Sequence, residues 1–299
     1  MDHAGPSWMR GRVCLVTGAS SGIGRETARG LVRMGARVIL VARDRSRGEA
    51  ARAEIAREPG GGQAELLVAD LSSQRALVEL AAAVRRTHPR LHVLIHNAAI
   101  IPRQREVTVD GLEMQFAVNH MAPFLLTRLL LPLLRASAPA RIVVTASQVE
   151  ARGQIAWEDL QSERNYTPLG AYFQSKLANV LFTYELARRL TGTGVTANCL
   201  HPGVIDTNLL CDYLGQRRAV GRLLNRLRYP GPAEGARTTL RLASDPALEG
   251  VSGRYFRPEG EALSSPASRD PQAQRRLWQV SEELIRVPLD LADPLDPIA

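Results

Sequence analysis

The sequence predicts an α/β protein: a single domain built on one doubly wound parallel sheet with helices on both faces. Three observations lead there. Short apolar, β-branched runs alternate with amphipathic stretches of ten to twenty residues, the pattern of strand–helix–strand units. The runs Val13–Val16 and Val38–Val41 do not alternate in polarity, as expected of strands buried on both faces. A glycine-rich turn over residues 17–24 joins the first run to the first helical stretch.

In chain order, strands are expected at Val13–Thr17, Arg37–Ala42, Glu65–Val68, Leu91–Ile95, Ile142–Thr145 and Val195–Leu200, with a last one near Arg254–Phe256. Helices are expected at Glu26–Met34, Glu49–Arg57, Arg75–Arg86, Phe116–Leu134 and Tyr172–Leu190. Gly60-Gly61-Gly62 reads as a turn before the third strand, too short for a domain linker. Residues 1–10 read as an N-terminal extension, 11–287 as the folded domain, and 288–299, rich in Pro and Asp, as a disordered tail.

With 45% hydrophobic and 23% charged residues the composition is that of an ordinary globular protein. A chain of this length buries about 75% of its unfolded surface, so its core needs no disulfide or metal. Cys14, Cys199 and Cys211 lack ligand-like spacing and suit a reducing compartment. The net charge is +8, and 37 of the 38 basic residues are arginine; Lys176 is the one lysine. Scattered arginines argue against a nucleic-acid footprint. The longest apolar run, Phe124–Leu134, is eleven residues and carries Arg128, short of the ~18 that a membrane helix needs. Residues 1–11 show no signal-peptide pattern, so a cytoplasmic protein is expected.

In the turn Thr17-Gly18-Ala19-Ser20-Ser21-Gly22-Ile23-Gly24, glycines let backbone approach a pyrophosphate closely. The helix that follows offers free N–H groups and the positive end of its dipole. Cofactor choice is set at the end of the second strand, where an acid binds the ribose of NAD and an arginine accommodates the phosphate of NADP. Ala42 holds the acid position and Arg43 follows, which favours NADP(H) over NAD(H); the alternative for Arg43 is a solvated strand end. Asp44 reads as the N-cap of the next helix.

Tyr172 and Lys176 stand four apart on one helix face, able to address one bound molecule. Bringing a tyrosine from a pKa near 10 to about 7 takes roughly 4 kcal/mol. One cation about 4 Å away supplies up to a similar amount at an effective dielectric of about 20. Lysine plus an oxidised nicotinamide could therefore make Tyr172 a workable acid/base. With six tyrosines in 299 residues, a lone lysine falls four after one of them by chance in about 2% of cases.

Together these segments resemble the short-chain dehydrogenase/reductase family over residues 11–286: TGASSGIG (17–24), Asp70 in VADLSS, HNAA (96–99), VNHMAPFLLT (118–127), VVTAS (143–147), YFQSK (172–176) and HPGVIDT (201–207). The run after Tyr172, and the 25-residue step from Ser147 to Tyr172, resemble the retinol-dehydrogenase-like branch. The resemblance implies a Rossmann-type, NADP-binding domain over 11–287. It gives Tyr172 the proton transfer, Ser147 the orientation of the substrate oxygen, Lys176 the tuning of Tyr172 and the nicotinamide ribose, and Asn119 a water in a proton relay. Gly18, Ser20, Ser21, Gly22, Ile23 and Gly24 would hold the pyrophosphate, with Asp70 and Leu71 near the adenine and Asn97 and Ala98 on the cofactor floor. Pro202, Gly203, Val204 and Thr207 would border the nicotinamide. Plain structural readings stay open: Ser147 as a strand-end cap, Asn119 as a buried helix amide, Thr207 as a helix cap. The family's Asn-Asn-Ala-Gly is His96-Asn97-Ala98-Ala99 here, lacking one amide and one glycine.

His88, His92 and His96 are spaced four apart, but Pro89 and a strand break any helical metal face, so no metal site is expected. Residues 209–229, basic and amphipathic, read as a lid over a hydrophobic substrate, a weak peripheral membrane contact or a plain surface helix. The apolar faces of 116–134 and 172–190 suit either a homodimer or ordinary core. The function expected is an NADP(H)-dependent oxidoreductase (EC 1.1.1.-) acting on a small lipophilic aldehyde, ketone or alcohol, retinoid-like. The rivals are an NADP(H)-binding regulator with little turnover and a membrane-associated interaction protein.

Overall fold

A computed structural model describes residues 9–203 and 230–288. Val204, Thr207, the basic stretch 209–229 and all but the first residue of the 288–299 tail lie outside the described residues. Eight strands form one sheet in the order β3-β2-β1-β4-β5-β6-β7-β8. They are β1 (Val13–Thr17), β2 (Arg37–Ala42), β3 (Gln63–Val68), β4 (Val93–His96), β5 (Ala140–Thr145), β6 (Val195–Leu200), β7 (Tyr255–Arg257) and β8 (Gly260–Ala262). β1 to β7 pair in parallel, and β8 turns back antiparallel on β7. The strand order reverses between β1 and β4, which opens a crevice at their C-terminal ends.

The expected helices are α1 (Gly22–Arg33), α2 (Arg45–Ile55), α3 (Gln74–Thr87), α4 (Met114–Ala136) and α5 (Pro168–Arg189). Each starts before its apolar periodicity does, and in all but α1 a side-chain cap sets the start. Asp44 accepts the Arg47 amide at 2.8 Å, the cap expected of it. Thr167 caps α5 through the Gly170 amide, with Pro168 in the first turn. Two further helices, α6 (Pro232–Ser244) and α7 (Pro271–Glu283), were not anticipated, although Gly231-Pro232 and Asp270-Pro271 carry the cap-then-proline signature.

The pleat divides the core as the period of two requires. Val13, Leu15, Ile39 and Val41 face α3, α4, α5 and α7, whereas Cys14, Val16, Val38 and Leu40 face α1, α2 and α6. Cys14 and Cys199 are buried free thiols. Burial pushes the Cys14 thiol up to about 12, so both behave as small core residues. Met9, assigned from sequence to the extension, is fully buried, so the folded domain begins at or before it.

α4 extends well past the eleven-residue run. On length and hydropathy it could cross a bilayer, yet 89% of its most apolar window is buried inside the protein. The faces of α4 and α5 around Phe124 and Phe182 are covered by α7. Trp278 sets its ring 4.9 Å from Phe124 and 6.0 Å from Phe182, and Arg189 lies over it at 4.3 Å. A homodimer would therefore have to use a surface other than these rings.

The three evenly spaced histidines diverge. His88 pairs with Glu65, His92 Nδ1 accepts the Val13 amide at 3.0 Å, and His96 Nε2 lies 2.8 Å from Thr127 Oγ1. Burial lowers the pKa of His96 and His120 to about 3 and that of His201 to about 4; burial with Arg12 and Arg90 nearby lowers His92 to about 4. In the unfolded chain each binds a proton near pH 6.5. Between pH 6.5 and 4 the unfolded state thus holds more protons, and stability falls as pH falls. The urea midpoint is expected to be lower at pH 5.0 than at pH 7.5, with a smaller difference in His96→Asn; equal midpoints would contradict the neutral burial.

Candidate functional site

The C-terminal ends of β1 and β4 are fastened by one threonine. Thr17 Oγ1 donates to the Ile95 carbonyl at 3.3 Å and accepts the amides of Asn97 and Ala98 at 3.0 and 3.1 Å. Asn97 Nδ2 returns a bond to the Thr17 carbonyl at 3.0 Å. Glycine is required on this seam. Gly18 has φ +67°, and a Cβ there would sit 2.9 Å from Ala98 Cα. A Cβ on Gly24 would lie 2.4 Å from both Asn97 Nδ2 and the Gly18 carbonyl oxygen. Gly22, at φ +55°, turns the chain into α1. The N-cap, Ser21, makes no side-chain cap bond, and the first turn of α1 carries no acid. Its amides and dipole end are left to an anion, with half-buried Ser20, Ser21 and Ile23 around them. The cradle fits a dinucleotide pyrophosphate.

The other expected cofactor positions line the same edge of the sheet. Arg43 is exposed directly after β2, beside buried Ala42. Asp70 is exposed beyond β3, and its Oδ1 accepts the Ser72 amide at 2.9 Å and the Ser72 hydroxyl at 2.8 Å, a turn that shapes the entry to α3. Leu71 packs against the core next to it. Pro202 and Gly203 follow β6, half-buried, at the C-terminal edge. Two cavities of about 400 and 560 Å³, lined by Arg37 and His88 and by Arg12 and Arg141, lie at the opposite, N-terminal edge and contain none of these residues.

α5 carries the titratable pair. Lys176 is 2% exposed, and its ammonium donates to the Thr145 carbonyl at the end of β5 at 2.9 Å. Nζ stands 5.6 Å from the centroid of the half-buried Tyr172 ring. Burial brings the Lys176 pKa down to about 7 and pushes the Tyr172 phenol upward. In the protein alone, burial thus opposes the shift toward the phenolate. The ammonium facing the ring favours the phenolate and so opposes part of that rise. Burial also disfavours the charged form of Lys176, which weakens that opposition.

Two more expected residues converge on this helix. Asn119 is fully buried in a π-helical turn of α4, Ala117–Met121, a deviation that recurs at functional sites. Its Oδ1 accepts the Ile100 amide at 2.9 Å, and its Nδ2 donates to the Ile100 carbonyl and to Ser175 Oγ, both at 3.1 Å. Ser147 follows β5 in extended conformation and heads the 3-10 turn Gln148–Arg152. Its Oγ accepts the Val149 amide at 3.4 Å, a weak cap that leaves the hydroxyl able to turn to another partner. That turn is pressed onto α5: a Cβ on Gly153 would lie 2.5 Å from the Phe173 carbonyl oxygen and 2.9 Å from Leu177 Cβ. Ser147, Tyr172, Lys176 and Asn119 are thus held by β5, α5 and α4 as one interlocked group. Three supporting residues were missed as such. Thr145 and Ser175 sit inside the quoted motifs VVTAS and YFQSK, while Glu150 clamps Ser265 through its amide at 2.8 Å and its hydroxyl at 2.6 Å.

The short chain dehydrogenase family matches residues 12–216. Human retinol dehydrogenase 14 is 46% identical over 296 residues, covering 94% of this chain and 88% of that protein. Human retinol dehydrogenase 12 is 42% identical over 93% of this chain and 87% of its own length. Bovine dehydrogenase/reductase SDR family member 13 is 43% identical over 92% and 74%. Among solved structures, an uncharacterized protein of Mycobacterium Paratuberculosis superposes with TM-score 0.75 at 35% identity, over 93% of this chain and 94% of the other. A Beutenbergia cavernae protein, named as an NAD(P) dependent gluconate 5-dehydrogenase with bound NADP, gives TM-score 0.66 at 33% identity over 83% and 95%. On its fold, its glycine cradle and these likenesses, the chain belongs to the short-chain dehydrogenase/reductase family of oxidoreductases, in the retinol-dehydrogenase-like branch.

Proposed function

We propose that the chain is an NADP(H)-dependent oxidoreductase that interconverts a lipophilic, retinoid-like aldehyde or ketone with its alcohol, using Tyr172 as general acid/base. The observation that carries this reading is buried Lys176, fastened to β5 and facing the half-buried Tyr172 ring, in a fold that also carries a glycine cradle shaped for a dinucleotide. A nicotinamide held there would supply or take up the hydride and, when oxidised, would add a positive charge beside Tyr172 to that of Lys176.

In this reading the protein's own residues do the rest. Gly18, Gly22 and Gly24 let the backbone meet the pyrophosphate, and the first turn of α1 neutralises part of its charge. Asn97 and Ala98 form the floor, Asp70 and Leu71 flank the adenine, and Pro202 and Gly203 border the nicotinamide, with Val204 and Thr207 beyond them. Arg43, with Ala42 at the position where an acid would repel a phosphate, would receive the ribose phosphate, which supports NADP(H) over NAD(H). Ser147 donates a hydrogen bond to the substrate oxygen, and Tyr172 Oη gives that oxygen its proton in reduction or removes it in oxidation. Lys176 shifts the tyrosine toward the phenolate, and Asn119, joined to Ser175, orders the path by which the proton is replaced. Named relatives that act on retinol support the lipophilic substrate. An NADPH-rich cytoplasm, suited to the free thiols Cys14 and Cys199, would favour reduction.

A panel of aldehydes and ketones, run with NADPH and NADH in parallel, is expected to show turnover, faster with NADPH. In Tyr172→Phe turnover falls at least ~100-fold while NADPH binding, read by fluorescence, stays within about twofold of wild type. Gly24→Ala does the reverse, weakening NADPH binding at least ~10-fold, the scale on which a misplaced backbone contact acts. Near-normal turnover in Tyr172→Phe would overturn the mechanism, and near-normal binding in Gly24→Ala would overturn the cradle.

A further inference from the structure

The residue after Asn119 has its own set of partners. His120 is fully buried among Phe116, Phe124 and Phe182, with ring centroids at 5.0, 6.3 and 6.1 Å. Its Nε2 lies 2.9 Å from Ser281 Oγ on α7. The Ser281 hydroxyl donates its one proton to the Leu277 carbonyl at 2.7 Å, so it can only accept from the ring. This places the imidazole proton on Nε2 and leaves Nδ1 an acceptor. Nδ1 is buried without a hydrogen-bond partner among the described residues, so the ring is held through its bond to Ser281.

The π turn therefore carries two polar links in succession: Asn119 meets Ser175 on α5, the residue before Lys176, and His120 meets Ser281 on α7. A π turn is a costly insertion in a helix and persists only where its surroundings over-determine it. Asn119 holds one side of that turn through Ile100 and Ser175, and His120 holds the other.

We propose that His120 is a positioning residue: braced by Ser281 on α7, it fixes the π turn and with it the placement of Asn119 relative to Tyr172 and Lys176. The C-terminal helix α7 is thereby part of the scaffold of the site. A ring present only to fill the core would need neither nitrogen, and phenylalanine would replace it. The inference rests on the proposed function for its kinetic readout and on side-chain resonances for a readout independent of it.

His120→Phe keeps the ring and removes both nitrogens. It is expected to lower kcat about tenfold with KM for NADPH within twofold of wild type. His120→Gln, which keeps a donor and an acceptor, recovers most of that loss. Ser281→Ala lowers kcat in the same direction, and the double variant His120→Phe/Ser281→Ala is no slower than His120→Phe alone, as expected of residues acting through one link. The Asn119 side-chain amide resonances shift in Ser281→Ala. Unchanged kcat in His120→Phe, or losses in Phe and Gln variants alike that merely track the folded fraction, would overturn the proposal. Should the wild type turn over no carbonyl, the proposed function fails instead; unmoved Asn119 resonances in Ser281→Ala would then sink the positioning role separately.

Discussion

The ammonium of Lys176, buried against a backbone carbonyl, is the constraint around which the site is arranged. Burying a cation is expensive unless it is paired or hydrogen-bonded, and the bond shown for Nζ goes to the Thr145 carbonyl. That bond requires β5 to end where it does and α5 to cross its end at Lys176. It is not strong enough to keep the group an ordinary lysine, and burial draws its pKa to about 7. A cation so placed responds to what binds beside it, the property that the proposed acid/base role of Tyr172 calls for. Arginine could not stand in. Its planar fork carries five donors, and its charge does not titrate near neutrality.

From that anchor the remaining geometry follows outward. The end of β5 continues through Ser147 into a turn that Gly153 lets lie flat on α5. α5 is in turn keyed to α4 through Ser175 and Asn119. On the other side of the sheet's reversal, Thr17 ties β1 to β4 with three bonds from one hydroxyl and so sets the floor of the cradle. The two halves use different physics. The cradle is steric, built from positions where no Cβ fits, while the α5 side is electrostatic, built from buried polar groups. Variants in the first half should therefore act on cofactor affinity and variants in the second on turnover.

Much of this was legible in the sequence because it depends on local signals. β1, β2 and β6 fall at the expected residues, since continuous β-branched runs between turns mark buried parallel strands. The Asp44 cap and the helix face shared by Tyr172 and Lys176 follow from spacing alone. What stayed hidden depends on groups without a side-chain signature. Any residue could supply the carbonyl that holds Lys176. β8, three residues reading Gly-Glu-Ala, has no strand pattern and exists because β7 offers it an edge. The dominance of α7 over the α4/α5 face rests on contacts more than 90 residues apart, such as Trp278 with Phe124 and Phe182. The effect of burial on Tyr172 and Lys176 was also out of reach. The spacing gave their proximity, but the direction in which burial moves both pKa values appears only once the packing is known.

The most direct measurement is the carbonyl-reducing turnover of Lys176→Arg beside its NADPH affinity and its circular dichroism. The account predicts a folded protein whose turnover falls at least ~100-fold although a positive charge is retained, because the acid/base role is a matter of a compact, titrating ammonium on Thr145. Turnover near that of the wild type in a folded Lys176→Arg would contradict it, and the single lysine among 38 basic residues would then be an accident of composition.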